Sequence, residues 1–396
     1  MSRRHSQNGF TLVEVMVASA VSLVAVTAAS QALVGQYMAL QRRDLSRMAN
    51  SSAREATQFL ESTLQMTGFG IDPRWAIDFS YRCAAQPCRD SVTGPDELVV
   101  ISRDPRYRYQ AQGEGTCTTL GGCFTGDAWA ITSATINPPS LTVTFQPGTQ
   151  LEAGRVVLAL CAGGLSPVML TLAAPVSLSS GTPAASVVLN RFSTDPTLGA
   201  YNATTSLQAC HGQPGAAMFL VDRSRFFVQT LNGTPWLMLD TGRDLDGDGN
   251  LPPGDQDDLI PVAKNVMDMQ VAYALDPCPG YAAGPDSDGD WLIGDAKNVR
   301  EEPLLNTNPA APVYGTAAND PSRCTTLNSA NVHALRDTLR LRSDKPDLGH
   351  GNGWTGDVLN NPENRPGTLN VPGYRLFSTQ LSVTLRNMTS TASFIF

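Results

Sequence analysis

Residues 8–30 read NGFTLVEVMVASAVSLVAVTAAS, an apolar run that carries one carboxylate, Glu14, close to its start. From Val15 to Gln41 no residue is charged, a stretch of 27 residues. Roughly 20 are enough for a helix to cross a bilayer. Arg3, Arg4 and His5 precede the run, and Arg42 and Arg43 follow it. Short basic leaders stay in the cytoplasm, so the bulk of the chain is expected on the far side of the membrane. Two generic readings fit poorly. A secretory signal peptide has an apolar core of about 7–15 residues and then a small-residue cleavage site, whereas this run is longer and Glu14 interrupts it. A plain membrane anchor would also lack Glu14, because an ionisable group in the apolar layer is costly and normally has a partner. The blander alternative is that Glu14 only reaches back to the interface.

The totals narrow the class. The chain has 396 residues, with 42 % apolar and 16 % charged side chains, 34 glycines and 27 prolines. That mix favours many turns and short strands over a helical bundle. The net charge is −8 and no basic tract lies beyond the N-terminus, so binding to nucleic acid by bulk electrostatics is not expected. The eight cysteines contain no C-x-x-C pair, which disfavours a zinc ribbon or a redox motif. Spread over the chain, they suit disulfides in an oxidising compartment. Nearest-neighbour pairing is the expectation: Cys83–Cys88, Cys117–Cys123, Cys161–Cys210 and Cys278–Cys324.

Arg3-Arg4, Gly9, Phe10, Thr11, Leu12, Val13 and Glu14 together resemble the leader junction of type IV prepilins and the related pseudopilins. The resemblance implies that prepilin peptidase cuts between Gly9 and Phe10 and methylates the new amino terminus of Phe10. It implies further that the apolar helix is kept, and that Glu14 meets the Phe10 amine of a neighbouring subunit. A paired charge in an apolar filament core is far less costly than a lone one, so the pair sets axial register between subunits. The expected organisation is a leader at 1–9, a membrane-spanning or filament-core helix at 10–35, the amphipathic second half of that helix at 36–67, and a β-rich head at 68–396.

Apolar or small residues at Leu45, Met48, Ser52, Ala56, Phe59 or Leu60, and Thr63 or Leu64 recur at helical spacing, predicting one buried stripe. Gly68-Phe69-Gly70 marks the stop, and Gly35 marks a place where the helix could loosen. Beyond it, residues 98–101, 141–145, 155–160, 168–172, 219–221, 269–273, 334–341 and 377–385 are rich in β-branched and apolar residues bounded by turn formers, predicting strands. Residues 276–331 and 343–373 read as loop-rich insertions. The fold class expected is α+β: a long N-terminal helix packed on an antiparallel β-rich head. The segments Val266–Asp276, Leu335–Ser343, Tyr374–Phe377 and Thr384–Asn387, in that order, are similar to the PilW family of minor pilins.

Asp244, Asp246, Asp248 and Asn250, followed by Asp255, fit a calcium loop. Alternate carboxylates turn inward and Gly249 permits the bend. The exit through Pro252-Pro253 excludes an EF-hand helix. Asp286, Asp288, Asp290 and Asp295 repeat the pattern less fully, with Trp291 where the glycine belongs. A solvated acidic turn is the alternative at both places. No histidine has metalloprotease spacing and no G-x-S-x-G elbow is present, so no enzymatic activity is expected.

The resemblance thus implies a minor pilin of the inner membrane, its head in the periplasm, later part of a surface pilus. Its partners would be prepilin peptidase, other minor pilins, the major pilin and a tip adhesin, in the service of adhesion, twitching motility or DNA uptake. The alternatives are a minor pseudopilin of type II secretion, which shares the leader, and an adhesive ligand-binding head.

Overall fold

A computed structural model describes residues 11–69, 71, 76–77, 94–103, 128–136, 139–144, 150–151, 153–160, 168–177, 184–190, 216–243, 245–246, 248, 256–275, 332–347, 356–360 and 368–389. Helix α1 runs without interruption from Leu12 to Met66, 55 residues, or about 82 Å at 1.5 Å per residue. It passes through Gly35 unbroken. Its end is well defined. Gly68 takes φ +75°, a conformation that costs a residue with a side chain but not glycine. The Gly68 amide donates to the Ile101 carbonyl at 3.0 Å, and Asn387 Nδ2 donates to the Gln65 and Thr67 carbonyls at 3.0 and 3.3 Å. Carbonyls that a helix terminus leaves open are thus met by a side chain from the far end of the chain.

The strands follow in order. The first group is β1 (Leu98–Arg103), β2 (Ala128–Ile136), β3 (Pro139–Thr144), β4 (Gln150–Leu151), β5 (Val156–Leu160), β6 (Val168–Leu172), β7 (Val176–Ser177) and β8 (Ala184–Asn190). Next come the long β9 (Ala217–Leu231), β10 (Thr234–Asp240), β11 (Ile260–Lys264), β12 (Val266–Leu275) and β13 (Val332–Arg342). The last are β14 (Val358–Asn360), β15 (Thr368–Asn370), β16 (Leu376–Thr384) and a short helix α2 (Arg386–Thr389). All the strands expected from the sequence are present. β2, β8, β10, β11, the short β4–β7 pair and the small β14–β15 hairpin are additional.

The antiparallel pairings of the large sheet close on themselves. β9 pairs β2, β2 pairs β3, β3 pairs β8, β8 pairs β6, β6 pairs β5, and β5 returns to β9. The result is a small six-stranded barrel without a free edge along that ring, the arrangement that best suppresses edge-to-edge aggregation. Its interior holds Ile131, Leu141, Val143, Val157, Ala159, Leu170, Leu172, Met218 and Leu220, filling it as side chains fill any narrow barrel. The alternate residues of the same strands, Val156 and Leu158 on β5 and Phe219 and Val221 on β9, face a different core. Both faces of β5 and of the β9 segment paired with it, residues 217–221, are therefore buried, which explains their unbroken apolar sequence.

β9 outruns the barrel. Its second half pairs β1 on one side and β10 on the other, joined to β10 by an Asn232-Gly233 turn with both residues at positive φ. That dipeptide matches the twist of a two-residue hairpin. β10 then pairs β11. At Asn265, φ +65°, the chain leaves the large sheet and enters a second, three-stranded sheet ordered β12-β13-β16. The outer edge of β12 is covered: the Asp96 amide donates to the Met269 carbonyl at 2.7 Å, and the Val271 amide donates to Asp96 Oδ2 at 2.8 Å.

The second half of α1 lies against β16, β11 and β13. Leu45, Ala49, Ala56, Leu60 and Leu64 form its buried line, and Phe59 meets Phe226 edge-on with ring centres 6.1 Å apart. Fully burying Leu60 and Leu64 stabilises by roughly 1.5–3 kcal/mol each. The expected stripe needs one correction. Met48 is 50 % exposed while Ala49 is buried, because small Ala49 and Ala56 let the helix approach the sheets closely along an i, i+4 ridge.

Where β11 passes into β12, Asp344 accepts hydrogen bonds from the Lys264 ammonium and, at 3.2 Å, from Asn265 Nδ2. The Lys264 contact, followed by that of Asn265, holds the Asp344 carboxyl below its usual pKa. Such a group contributes stability above the ordinary carboxylate range and loses it as pH falls through the lowered folded value. Lys264 is 42 % exposed, so screening limits the pair to about 1 kcal/mol. Asp344→Asn should melt about 2 °C below the wild type at pH 7. The two should converge only once pH has fallen through the lowered folded value of Asp344, where both side chains are neutral. An unchanged gap at low pH would show that the carboxylate charge is not what matters there.

Candidate functional site

The chain presents its chemistry at the start of α1. Thr11 is the N-cap, with extended φ −75° and ψ 149°. Its amide donates to Glu14 Oε2 at 2.9 Å, and its hydroxyl donates to the same oxygen at 3.0 Å. The Glu14 amide donates back to Thr11 Oγ1 at 3.3 Å. This reciprocal capping box satisfies helix-start donors that would otherwise have no partner. It also explains locally why a helix begins at this threonine, and it places the carboxylate beside the residue that follows Phe10 in sequence. Gly9 and Phe10 themselves lie outside the described residues.

From Leu12 onward the apolar side chains have nothing to pack against. Leu12, Val15, Val24 and Leu33 are each more than half exposed, as are Val13, Val17, Val21 and Val34. The most apolar 18-residue window of α1 is wholly unburied. Exposed apolar surface of this extent marks a membrane or protein interface rather than a soluble face. Among the described residues, α1 is the one helix long and apolar enough to cross a membrane. The same rigid helix has two lives: its first half is bare and its second half is the spine of the head.

The aspartate loop is described in part. Asp246 and Asp248 are placed, and the Asp248 amide donates to Asp246 Oδ1 at 3.0 Å, a turn typical of aspartate. Asp258, which the sequence spacing did not single out, is fully buried. Its Oδ1 accepts from the Leu245 amide at 2.5 Å and the Asp246 amide at 3.4 Å. It clasps the loop from behind. The signal for it was the acidic run after the prolines, ending at Asp258 just before the strand-like Leu259-Ile260-Pro261-Val262. Asp244, Asn250 and Asp255 lie outside the described residues, as do Asp286, Asp288, Asp290 and Asp295. The same holds for all eight cysteines, Cys83, Cys88, Cys117, Cys123, Cys161, Cys210, Cys278 and Cys324.

A buried charge network in the head escaped the sequence reading. Arg225 on β9 donates to both Glu97 oxygens at 2.7 and 3.0 Å, and to Asp240 Oδ2 at 3.1 Å. Arg223 reaches the same Asp240 oxygen at 3.5 Å, and the Gly242 amide donates to Asp240 Oδ1 at 2.6 Å. Glu97 precedes β1 and Asp240 ends β10, so the two arginines lock three strands together. The spacing R-x-R within a strand-like run was the available signal: it places both guanidiniums on one face.

Residues 4–30 match the family described as the prokaryotic N-terminal methylation motif. No curated protein and no solved structure matches the chain significantly. The motif supports a type IV pilin-like protein, pilin or pseudopilin. It indicates a structural subunit, and it implies processing by prepilin peptidase, pilin partners and a membrane-anchored helix.

Proposed function

We propose that the chain is a minor pilin of the PilW type that helps initiate type IV pilus assembly and sits at or near the pilus tip. The observation that carries this reading is where the PilW-like segments fall. Val266–Asp276 and Leu335–Ser343 supply β12 and β13, and Tyr374–Phe377 with Thr384–Asn387 bracket β16. Segments far apart in sequence thus build one three-stranded sheet against α1. In this reading, cleavage between Gly9 and Phe10 frees an amine that Phe10 retains as a methylamine. Glu14 then pairs with such an amine on a neighbour, the bare half of α1 packs among neighbouring helices, and the head is displayed at the surface. The barrel gives that head a rigid base for the loops it carries.

The pilus role is separable from type II secretion by deletion. Loss of surface filaments with secretion intact is the expected result. Retained filaments with secreted enzymes trapped in the periplasm would instead support the pseudopilin reading.

The loop at Asp244, Asp246, Asp248, Asn250 and Asp255 is proposed to take Ca²⁺, with the buried clasp of Asp258 preorganising its first turn. Millimolar calcium should raise the melting temperature of the wild-type chain by several degrees, as binding to the folded state alone must. Asp246→Ala should abolish that rise. A calcium-independent melting curve would reject the site.

A further inference from the structure

We infer that Arg42, Arg43 and Arg47 form a cationic collar that binds the anionic headgroups of the outer leaflet of the membrane that α1 spans. With Ser46, these three arginines line a concavity of about 390 Å3 on α1. At 100° per residue the four positions fall within roughly 140° of one helix face, and Asp44 falls outside that arc, about 60° beyond Arg47. Arg43 and Arg47 are exposed and have no ion-pair partner among the described residues. Arg42 is half-buried, and its Nε lies 3.9 Å from Asp347, a buried carboxylate that also accepts from Arg375. The collar is thereby fixed to the head on one side and open on the other.

Axial position selects the partner. Counted from Glu14, which opens the apolar run and is taken as the inner edge of the span, Arg42 stands about 42 Å along the helix. A bilayer with its headgroups is about 40–45 Å thick, which puts the collar at outer-headgroup level. Tyr37, 70 % exposed, lies one to two turns nearer the apolar layer, where aromatic side chains collect at interfaces. Arginines on the far side of a span also run against the usual charge bias. Their recurrence at i, i+4 on an exposed face is explained if they hold phosphate there.

The inference rests on the membrane-anchored helix of the proposed function, and its test separates the two. The full-length chain is analysed by native mass spectrometry from micelles holding equal phosphatidylglycerol and phosphatidylcholine of the same acyl chains. Phosphatidylglycerol should be retained preferentially. Arg43→Gln with Arg47→Gln should lower the phosphatidylglycerol-to-phosphatidylcholine ratio by at least about five-fold, the effect expected for even one arginine at a charged surface. The double Lys variant should keep most of the preference. An unchanged ratio in the Gln variant overturns the inference. If that same variant also drops out of filaments, the arginines serve an acidic neighbouring subunit instead. Extraction of the wild-type chain from vesicles by alkaline wash would overturn the anchor itself.

Discussion

Glu14→Ala is expected to remove the chain from assembled filaments, on the order of a 100-fold loss, while leaving the head folded and the helix in the membrane. The asymmetry follows from where the residue sits. Glu14 touches only Thr11 among the described residues, more than 50 Å along α1 from the head core at Ala56, so the fold does not depend on it. Alanine is more apolar than glutamate, so membrane insertion does not suffer. In the proposed assembly what is lost is the countercharge to a neighbour's amine, and a buried ion stripped of its partner is strongly unfavourable. Glu14→Gln separates this role from helix capping. Glutamine can still close the capping box, yet it carries no charge. Filaments isolated by shearing and probed for the chain should lack both variants. Normal incorporation of the glutamine variant would show that capping, not charge pairing, is what assembly requires.

The second large effect lies in the head. Arg225→Ala should destabilise it by about 3–5 kcal/mol, because it deprives Glu97 of two guanidinium bonds and leaves Asp240 with one fewer cation in a buried site. Glu97→Ala should cost a similar amount. The double variant should cost clearly less than the sum, since removing both charges leaves less uncompensated than removing one. Chemical denaturation of the four forms measures this directly. Additive losses would mean that the ion pair does not couple β1 to β9.

How far the fold could be read from the sequence depended on the kind of signal. The uncharged run to Gln41 and the stop at Gly68 announce α1 because each acts locally. Strands such as Val156–Leu160 announce themselves by β-branched residues. β2, with sequence AWAITSATI, hides behind small and polar residues, and β10 carries Pro235 near its start, which lowers any strand assignment. The closed barrel was not legible at all. It depends on β9 pairing both β2 and β5, strands well separated from it in the chain, and nothing in a local pattern encodes such partners. The buried stripe on α1 was shifted by one position at Met48, because alanine is read as neutral when it is in fact the residue that admits close packing. At the candidate site, Glu14 was legible as an anomaly in an apolar run. Asp258 and the Arg223–Arg225 network were not, because their meaning comes from burial.

The central claim is that a new amine is made at Phe10 and that Glu14 answers it. N-terminal mass spectrometry of the chain recovered from membranes and from sheared filaments tests this most directly. The account predicts a chain beginning at Phe10 with one added methyl group. A functional protein still carrying residues 1–9, or one beginning elsewhere, would contradict it.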